Sequence, residues 1–142
     1  MSVRYDLQTE GEYMSPIDWA LRPLTKYADF SDRAPRAEYW WFYLLTIVAS
    51  LVAMIVDSVI GTGGTLGSYG ILTLLVTLGL LIPSLAAGVR RLHDTDRSGW
   101  WLLIVLVPLV GVIVLLVFFV FEGTRGDNRF GRDPYAAELA HA

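Results

Sequence analysis

The sequence contains no cysteine, and it has little charge of either sign. The absence of cysteine excludes disulfides, thiolate catalysis and cysteine-ligated metal sites. Asp, Glu, Lys and Arg make up 18% of the 142 residues, against roughly 25% in soluble domains. There is no basic excess either, because the net charge is -3 and the pI is about 5.2. This balance argues against a nucleic-acid partner.

Three long stretches, residues 39–56, 58–89 and 98–121, have no charged residue at all, and 54% of the chain is hydrophobic. A helix needs about 20 apolar residues to cross a bilayer. The pattern predicts an all-α, polytopic membrane protein with three transmembrane helices, at about residues 39–60, 69–89 and 100–121. These helices belong to one membrane domain, residues 15–134, between a polar N-terminal tail, residues 1–14, and a C-terminal tail, residues 135–142.

No cleavable signal peptide is expected, because the first 38 residues are charged and lack a long apolar core. A short amphipathic helix is predicted instead at residues 15–30. Ser15 suits the N-cap of that helix and Pro16 suits its first position. Asp18 lies three residues after Ser15, at the N3 position of a capping box. Such a helix either lies in the membrane interface or packs on the cytoplasmic ends of the spans, and the two arrangements are compatible.

Asp57 is the ionisable residue predicted to lie inside a span. An ionisable side chain within a membrane is by default a functional hypothesis, here an ion or proton role. Asp57 lies near the end of the first span, however, where a hydrogen-bonded structural role is the alternative. Pro83 is expected to kink the second span, and Pro108 and Gly111 to bend the third.

Lys and Arg near the span ends predict the orientation. Three full spans with a cytoplasmic N-terminus place seven basic residues inside, before the first span and in the link between spans two and three, and three outside. If the third apolar segment were instead a re-entrant hairpin bent at Pro108 and Gly111, the tail would return to the cytoplasmic side. Of the two arrangements, we expect three full spans.

Three sequence blocks carry a family resemblance: FSDRAPRAEYWWF before the first span, GVRRLHDTDRSGWWLL at the link and GTRGDNRFGRDP in the tail. Together they resemble the domain-of-unknown-function 805 family over roughly residues 21–134. Where the family usually has glycine followed by arginine, this chain has Ser31, Asp32 and Arg33, and Asp96 replaces a frequent glycine. The resemblance implies a small bacterial inner-membrane protein and no particular activity.

The polar link carries most of the candidate functional residues. We expect its arginines and tryptophans, with those that precede the first span, to form a cytoplasmic collar that contacts lipid headgroups or a partner protein. The alternative is that the arginines only fix topology and pair with Asp94 and Asp96. The collar residues are Arg33, Arg36, Arg90, Arg91, His93, Asp94, Arg97, Trp100 and Trp101.

The pattern favours a non-enzymatic structural or interaction component. His93, Asp94 and Asp96 are ligand types for a metal, but the sequence offers no further neighbouring ligand, so no metal and no cofactor are expected. The expected partners are membrane lipids with anionic headgroups and a second copy of the chain or another membrane protein. The alternative function is a small channel or transporter subunit that uses Asp57.

Overall fold

The computed structural model describes residues 14–64 and 69–136, so most of both predicted tails lies outside the described residues. The described part is all helical, apart from an isolated bridge between Asn128 and Gly131. Its elements are α1 (Pro16–Thr25), α2 (Arg36–Ile60), α3 (Ile71–Asp94), a 3-10 helix (Gly99–Leu106) and α4 (Val110–Val120).

Helix α1 begins with the predicted capping box. The Ser15 hydroxyl accepts a hydrogen bond from the Asp18 backbone N–H at 3.2 Å, and the Asp18 carboxylate accepts one from the Ser15 N–H at 2.9 Å. The helix ends at Thr25, which is five residues earlier than predicted. Its exposed apolar residues, Ile17, Leu21 and Leu24, lie on a different side of the helix from Asp18 and Arg22, so the helix is amphipathic as predicted. Ala20 and Pro23 are buried.

Helices α2 and α3 form a long hairpin, and both are long and apolar enough to cross a membrane. Only 11% and 28% of their most apolar segments are buried, so they are not the core helices of a soluble domain. Helix α2 ends at Gly61, whose φ of 79° is readily adopted by glycine. Helix α3 continues five residues beyond its predicted end, so Arg90–Asp94 form its last turn and are not part of the polar link between helices.

The single helix predicted over residues 100–121 is not formed. The 3-10 helix and α4 are separate and antiparallel, since Trp101 packs edge-on against Phe118 with ring centroids 5.5 Å apart. Pro108 has no N–H to continue the first helix. Gly111 permits the return, because a Cβ there would lie 1.7 Å from the Ile104 carbonyl oxygen.

This hairpin is short and packs on one end of the α2–α3 pair. The 3-10 helix has 8 residues and α4 has 11, about 16 Å each, against a bilayer core of about 30 Å. Its contacts with α3 are near the end of that helix: Leu102 lies beside Gly88, and Leu115 and Phe119 pack around Leu92. The chain after α4 therefore returns to the end of the molecule where α3 finishes.

Candidate functional site

A buried network of ion pairs lies where α3 ends and the tail returns. The Asp94 carboxylate contacts Arg33 on one oxygen at 3.1 Å and Arg91 on the other at 2.6 Å. All three side chains are at most 2% exposed. A carboxylate held by two guanidinium groups is a favourable way to bury these charges, because each charge is paired and hydrogen-bonded.

The same two arginines bind backbone carbonyls of the returning chain. Arg33 donates to the carbonyl oxygens of Thr124 at 2.6 Å and Gly126 at 2.7 Å. Arg91 donates to Phe119 O at 3.1 Å and also to Phe121 O. The carbonyls at a helix C-terminus have no partner within the helix and carry its negative dipole end. Arg91 therefore caps α4, and Arg33 holds the tail that follows it.

Gly123 makes this arrangement possible. A Cβ at that position would lie 2.0 Å from a carboxylate oxygen of Asp94. The next residue, Thr124, donates its N–H to the Asp94 backbone carbonyl at 2.7 Å. The glycine of the tail block thus lets the backbone pass directly over the ion-pair network.

A second buried ion pair joins α2 to α3 at the same end of the molecule. Arg90 forms an ion pair with Glu38, and both side chains are 0% exposed. Arg22 of α1 approaches the second Glu38 carboxylate oxygen at 3.5 Å. Within residues 14–64 and 69–136, the Nε and Nη2 atoms of Arg90 have no hydrogen-bond partner. The pair therefore ties α1, α2 and α3 together.

The tail also covers the end of α3. The Phe130 ring stacks on His93 with centroids 4.0 Å apart, and the Asn128 side chain donates to the His93 carbonyl at 2.9 Å. On the surface Arg129 pairs with Asp96 at 3.2 Å. The histidine ring thus lies against the tail, with Nδ1 at 3.2 Å from the Asp32 carbonyl oxygen.

The segment between α1 and α2 has its own ion pair, Lys26 with Asp32. Burial raises the pKa of the Asp32 carboxyl, but hydrogen bonds from the Lys26 ammonium and the Arg33 N–H outweigh it, so that pKa lies below its usual value. The carboxylate is therefore ionised at neutral pH and anchors this connection.

These positions correct part of the predicted collar. Five collar residues expected to contact lipid headgroups or a partner are buried and hold the fold together: Arg33, Arg90, Arg91, His93 and Asp94. The physical reason is that α3 extends through Asp94 and the tail folds over it, which the predicted three-span arrangement did not allow. The collar residues that keep substantial exposure are Arg36, Arg97, Trp100 and Trp101.

Asp57 lies at the opposite end of the helix pair, 1% exposed. Its carboxylate accepts hydrogen bonds from the backbone N–H groups of Leu72 at 3.0 Å and Thr73 at 2.7 Å. The hydroxyls of Thr62 and Thr73 donate to it as well, at 2.6 and 2.7 Å. Asp57 thus caps the N-terminus of α3 from the neighbouring helix, in accord with the structural alternative.

Two residues that build the end of the molecule with the ion-pair network were not predicted from the sequence. Glu38 and Gly123 are not among the candidate functional residues that the sequence indicated. Both belong to the polar blocks around the long apolar runs. A signal was present for Glu38, because a carboxylate beside an uncharged run needs a basic partner when it is buried. The partner, Arg90, lies 52 residues away.

Comparison with known proteins gives consistent matches. Residues 27–132 match the model of a family described as "Protein of unknown function (DUF805)". The chain is 43% identical over 118 residues to two Escherichia coli (strain K12) proteins named inner membrane protein YhaH and inner membrane protein YhaI. The match covers 83% of this chain in both cases, and 97% and 96% of the relatives.

A weaker relative is the uncharacterized protein YiiR of the same strain, 30% identical over 79 residues, or 38% of this chain and 54% of that protein. No solved structure matches the chain. The family match spans the start of α2, the ion-pair network and the tail that covers it, which agrees with the three sequence blocks. The chain is a helical membrane protein that belongs to the DUF805 family of proteins of unknown function.

Proposed function

We propose that this protein crosses the bacterial inner membrane twice, through α2 and α3, with α1 and the segment that follows α4 on the cytoplasmic side. Every Lys and Arg among the described residues is at the end of the molecule that holds the ion-pair network, and the connection at residues 61–70 has none. Basic residues accumulate on the cytoplasmic side of membrane proteins. The 3-10 helix and α4 then form a re-entrant hairpin that enters the cytoplasmic leaflet and leaves it on the same side.

The internal hydrogen bonds of the hairpin are compatible with this placement. Backbone groups in the hydrocarbon region must be paired within the protein. At the turn, the N–H groups of Val107 and Gly111 donate to Ile104 O and Val107 O, both at 2.9 Å. The N–H of Val110 donates to Pro108 O at 2.7 Å, which closes a tight γ-turn at Leu109.

The function that this geometry supports is that of a structural membrane component that binds anionic lipid headgroups at its cytoplasmic end. The observation that supports it is that the arginines at this end fall into a buried set and a surface set. Three are buried and make the end rigid, while others remain on its surface beside exposed tryptophans. We call these residues, together with the half-buried Arg97, the basic–aromatic rim: Arg36, Arg97, Arg125, Arg129, Arg132, Trp100 and Trp101.

The rim has the chemistry of a headgroup-level surface. Trp100 is 79% exposed and Trp101 45%, which suits the interfacial position that tryptophan prefers. The Arg125 and Arg129 side chains are 86% and 62% exposed. Arg97 lies over the Phe118 ring at 4.1 Å, which fixes its guanidinium beside the mouth of the hairpin.

Native mass spectrometry of gently extracted protein tests this function. Each basic residue near an anionic membrane surface contributes about 1 kcal/mol of attraction. Arg125→Gln combined with Arg132→Gln should therefore weaken binding of phosphatidylglycerol by about 2 kcal/mol, roughly thirtyfold. The matched control is the pair Arg125→Lys and Arg132→Lys, which keeps the charge and should keep the lipid.

An unchanged amount of bound anionic lipid in the glutamine variant would overturn the rim as a lipid site. The same spectra report stoichiometry, so they also test the prediction of a homo-oligomer or a membrane-protein partner. The absence of enzymatic activity stays a prediction. The channel alternative depends on Asp57, whose carboxylate accepts hydrogen bonds from Leu72 and Thr73 at the start of α3 and from the Thr62 hydroxyl.

A further inference from the structure

The two ends of the α2–α3 hairpin differ in how many helices surround them. At the end with the ion-pair network lie α1, the 3-10 helix and α4, in addition to the ends of α2 and α3. Towards the opposite end, the described residues provide only α2, α3 and the residues between them. The far halves of the two long helices present exposed apolar side chains such as Ile55 (61%), Val59 (80%) and Leu75 (61%).

Helix α1 lies at membrane level on this crowded side. Its exposed face carries Ile17 (69%), Leu21 (44%) and Leu24 (37%), while its polar residues include Arg22, which turns towards Glu38. Just after the helix, Tyr27 hydrogen-bonds to the Gly79 carbonyl, about 16 Å of helix below Arg90. In the proposed topology, an apolar face between these two levels contacts the acyl chains of the cytoplasmic leaflet.

The hairpin adds apolar volume to the same leaflet. Its tip is strongly exposed, with Leu106 at 75% and Leu109 at 79%, and its arms reach only about half of the bilayer core. With helices about 10 Å across, α1 and the two hairpin arms add on the order of 200–300 Å² of cross-section to the cytoplasmic leaflet alone.

We infer that the protein is a wedge that prefers membranes whose cytoplasmic leaflet lies on the convex side, and that its ligand in this role is the acyl layer of that leaflet. The inference rests on the proposed two-span topology. A molecule broader in one leaflet fits best where that leaflet is stretched outward, because curvature opens space between its headgroups. Amphipathic helices sense curvature in the same way.

The test uses full-length protein in vesicles of phosphatidylethanolamine and phosphatidylglycerol with a wide range of diameters. A fluorophore on Arg125→Cys and a membrane-impermeant quencher distinguish the two orientations on each vesicle. Molecules with the cytoplasmic end outward should be about twofold or more denser on the smallest vesicles than on the largest. Molecules facing inward should show the opposite trend. Density independent of diameter in both orientations would overturn the wedge.

A variant isolates the contribution of α1. Replacing Ile17, Leu21 and Leu24 by serine removes the exposed apolar face and leaves the packed residues Ala20 and Pro23 in place, so the slope of density against diameter should flatten. The control replaces the same residues by leucine, methionine and methionine, which keep the face apolar, and should retain the slope. A serine variant with the wild-type slope would exclude α1 from the wedge.

These outcomes are separate from those of the proposed function. If a cysteine at position 125 reacts from the side of the membrane opposite to α1, the proposed topology is wrong. If the topology is correct but the protein density does not depend on vesicle diameter, only the wedge is wrong. Neutralising Arg125 and Arg132 with glutamine changes headgroup binding and leaves the cross-section unchanged. The curvature slope of that variant should match the wild type.

Discussion

The Tyr27 hydroxyl donates a hydrogen bond to the backbone carbonyl of Gly79, in the middle of a long membrane helix. That carbonyl would ordinarily bond the N–H four residues later, but the residue there is Pro83, which has none. A free carbonyl in the hydrocarbon region is costly, so the phenol supplies the missing donor. The contact also fixes the end of the α1 segment against α3.

Tyr27→Phe should lower the free energy of unfolding by about 1 kcal/mol, because the Gly79 carbonyl loses the donor that replaces its missing helical partner. In a Pro83→Ala background the alanine N–H is expected to bond Gly79 O, so the same tyrosine change should cost less. Thermal unfolding of the four proteins in detergent gives the coupling energy. Equal costs in both backgrounds would contradict the link between Tyr27 and Pro83.

Asp57→Asn should destabilise the α2–α3 hairpin by roughly 1–3 kcal/mol, because an amide nitrogen cannot accept the hydrogen bonds that one carboxylate oxygen receives. Gly70→Ala should act on the same site, since a Cβ there would lie 2.2 Å from the Asp57 carboxylate. The matched control is Gly79→Ala, whose Cβ would meet nothing within 4 Å. Equal melting temperatures for the two alanine variants would argue against a tight cap.

Asp94→Asn should be among the most destabilising single changes, at roughly 3–5 kcal/mol, because it leaves Arg33 and Arg91 buried without a counter-charge. The control is Glu122→Gln, which breaks an exposed pair with Arg125 and should cost no more than about 1 kcal/mol. Unfolding curves in detergent compare the two. Proteolysis of the tail should also quicken in the Asp94 variant, because Arg33, which binds the carbonyls of Thr124 and Gly126, loses the carboxylate that holds it in place.

Single cysteines test the topology, because the natural chain has none and each label is unique. Ser31→Cys and Arg125→Cys should react with a membrane-impermeant reagent from the same side of the membrane. Gly63→Cys, in the connection between α2 and α3, should react from the other side. In inverted membrane vesicles the first two should therefore label and the third should not. If positions 125 and 63 react from the same side of the membrane, the arrangement with three full spans is correct and the two-span proposal is wrong.

Much of the fold follows from local chemistry. The uncharged runs predict α2 and α3 because a bilayer requires about 20 apolar residues in a helix. The capping box at Ser15 and Asp18 predicts the start of α1, because those side chains bond the helix's own first N–H groups. The polar blocks around the spans also predict the family and the membrane location.

The sequence by itself determined that this is a helical membrane protein, where its two long apolar helices lie and that Pro108 and Gly111 interrupt the third apolar segment. Only the tertiary structure decided that this segment folds back, because hydropathy does not distinguish a helix that crosses lipid from two short arms packed on α3. The partners of the arginines were decided in the same way. Arg33 and Asp94 are 61 residues apart, and nothing local to either one reveals that the returning tail buries both.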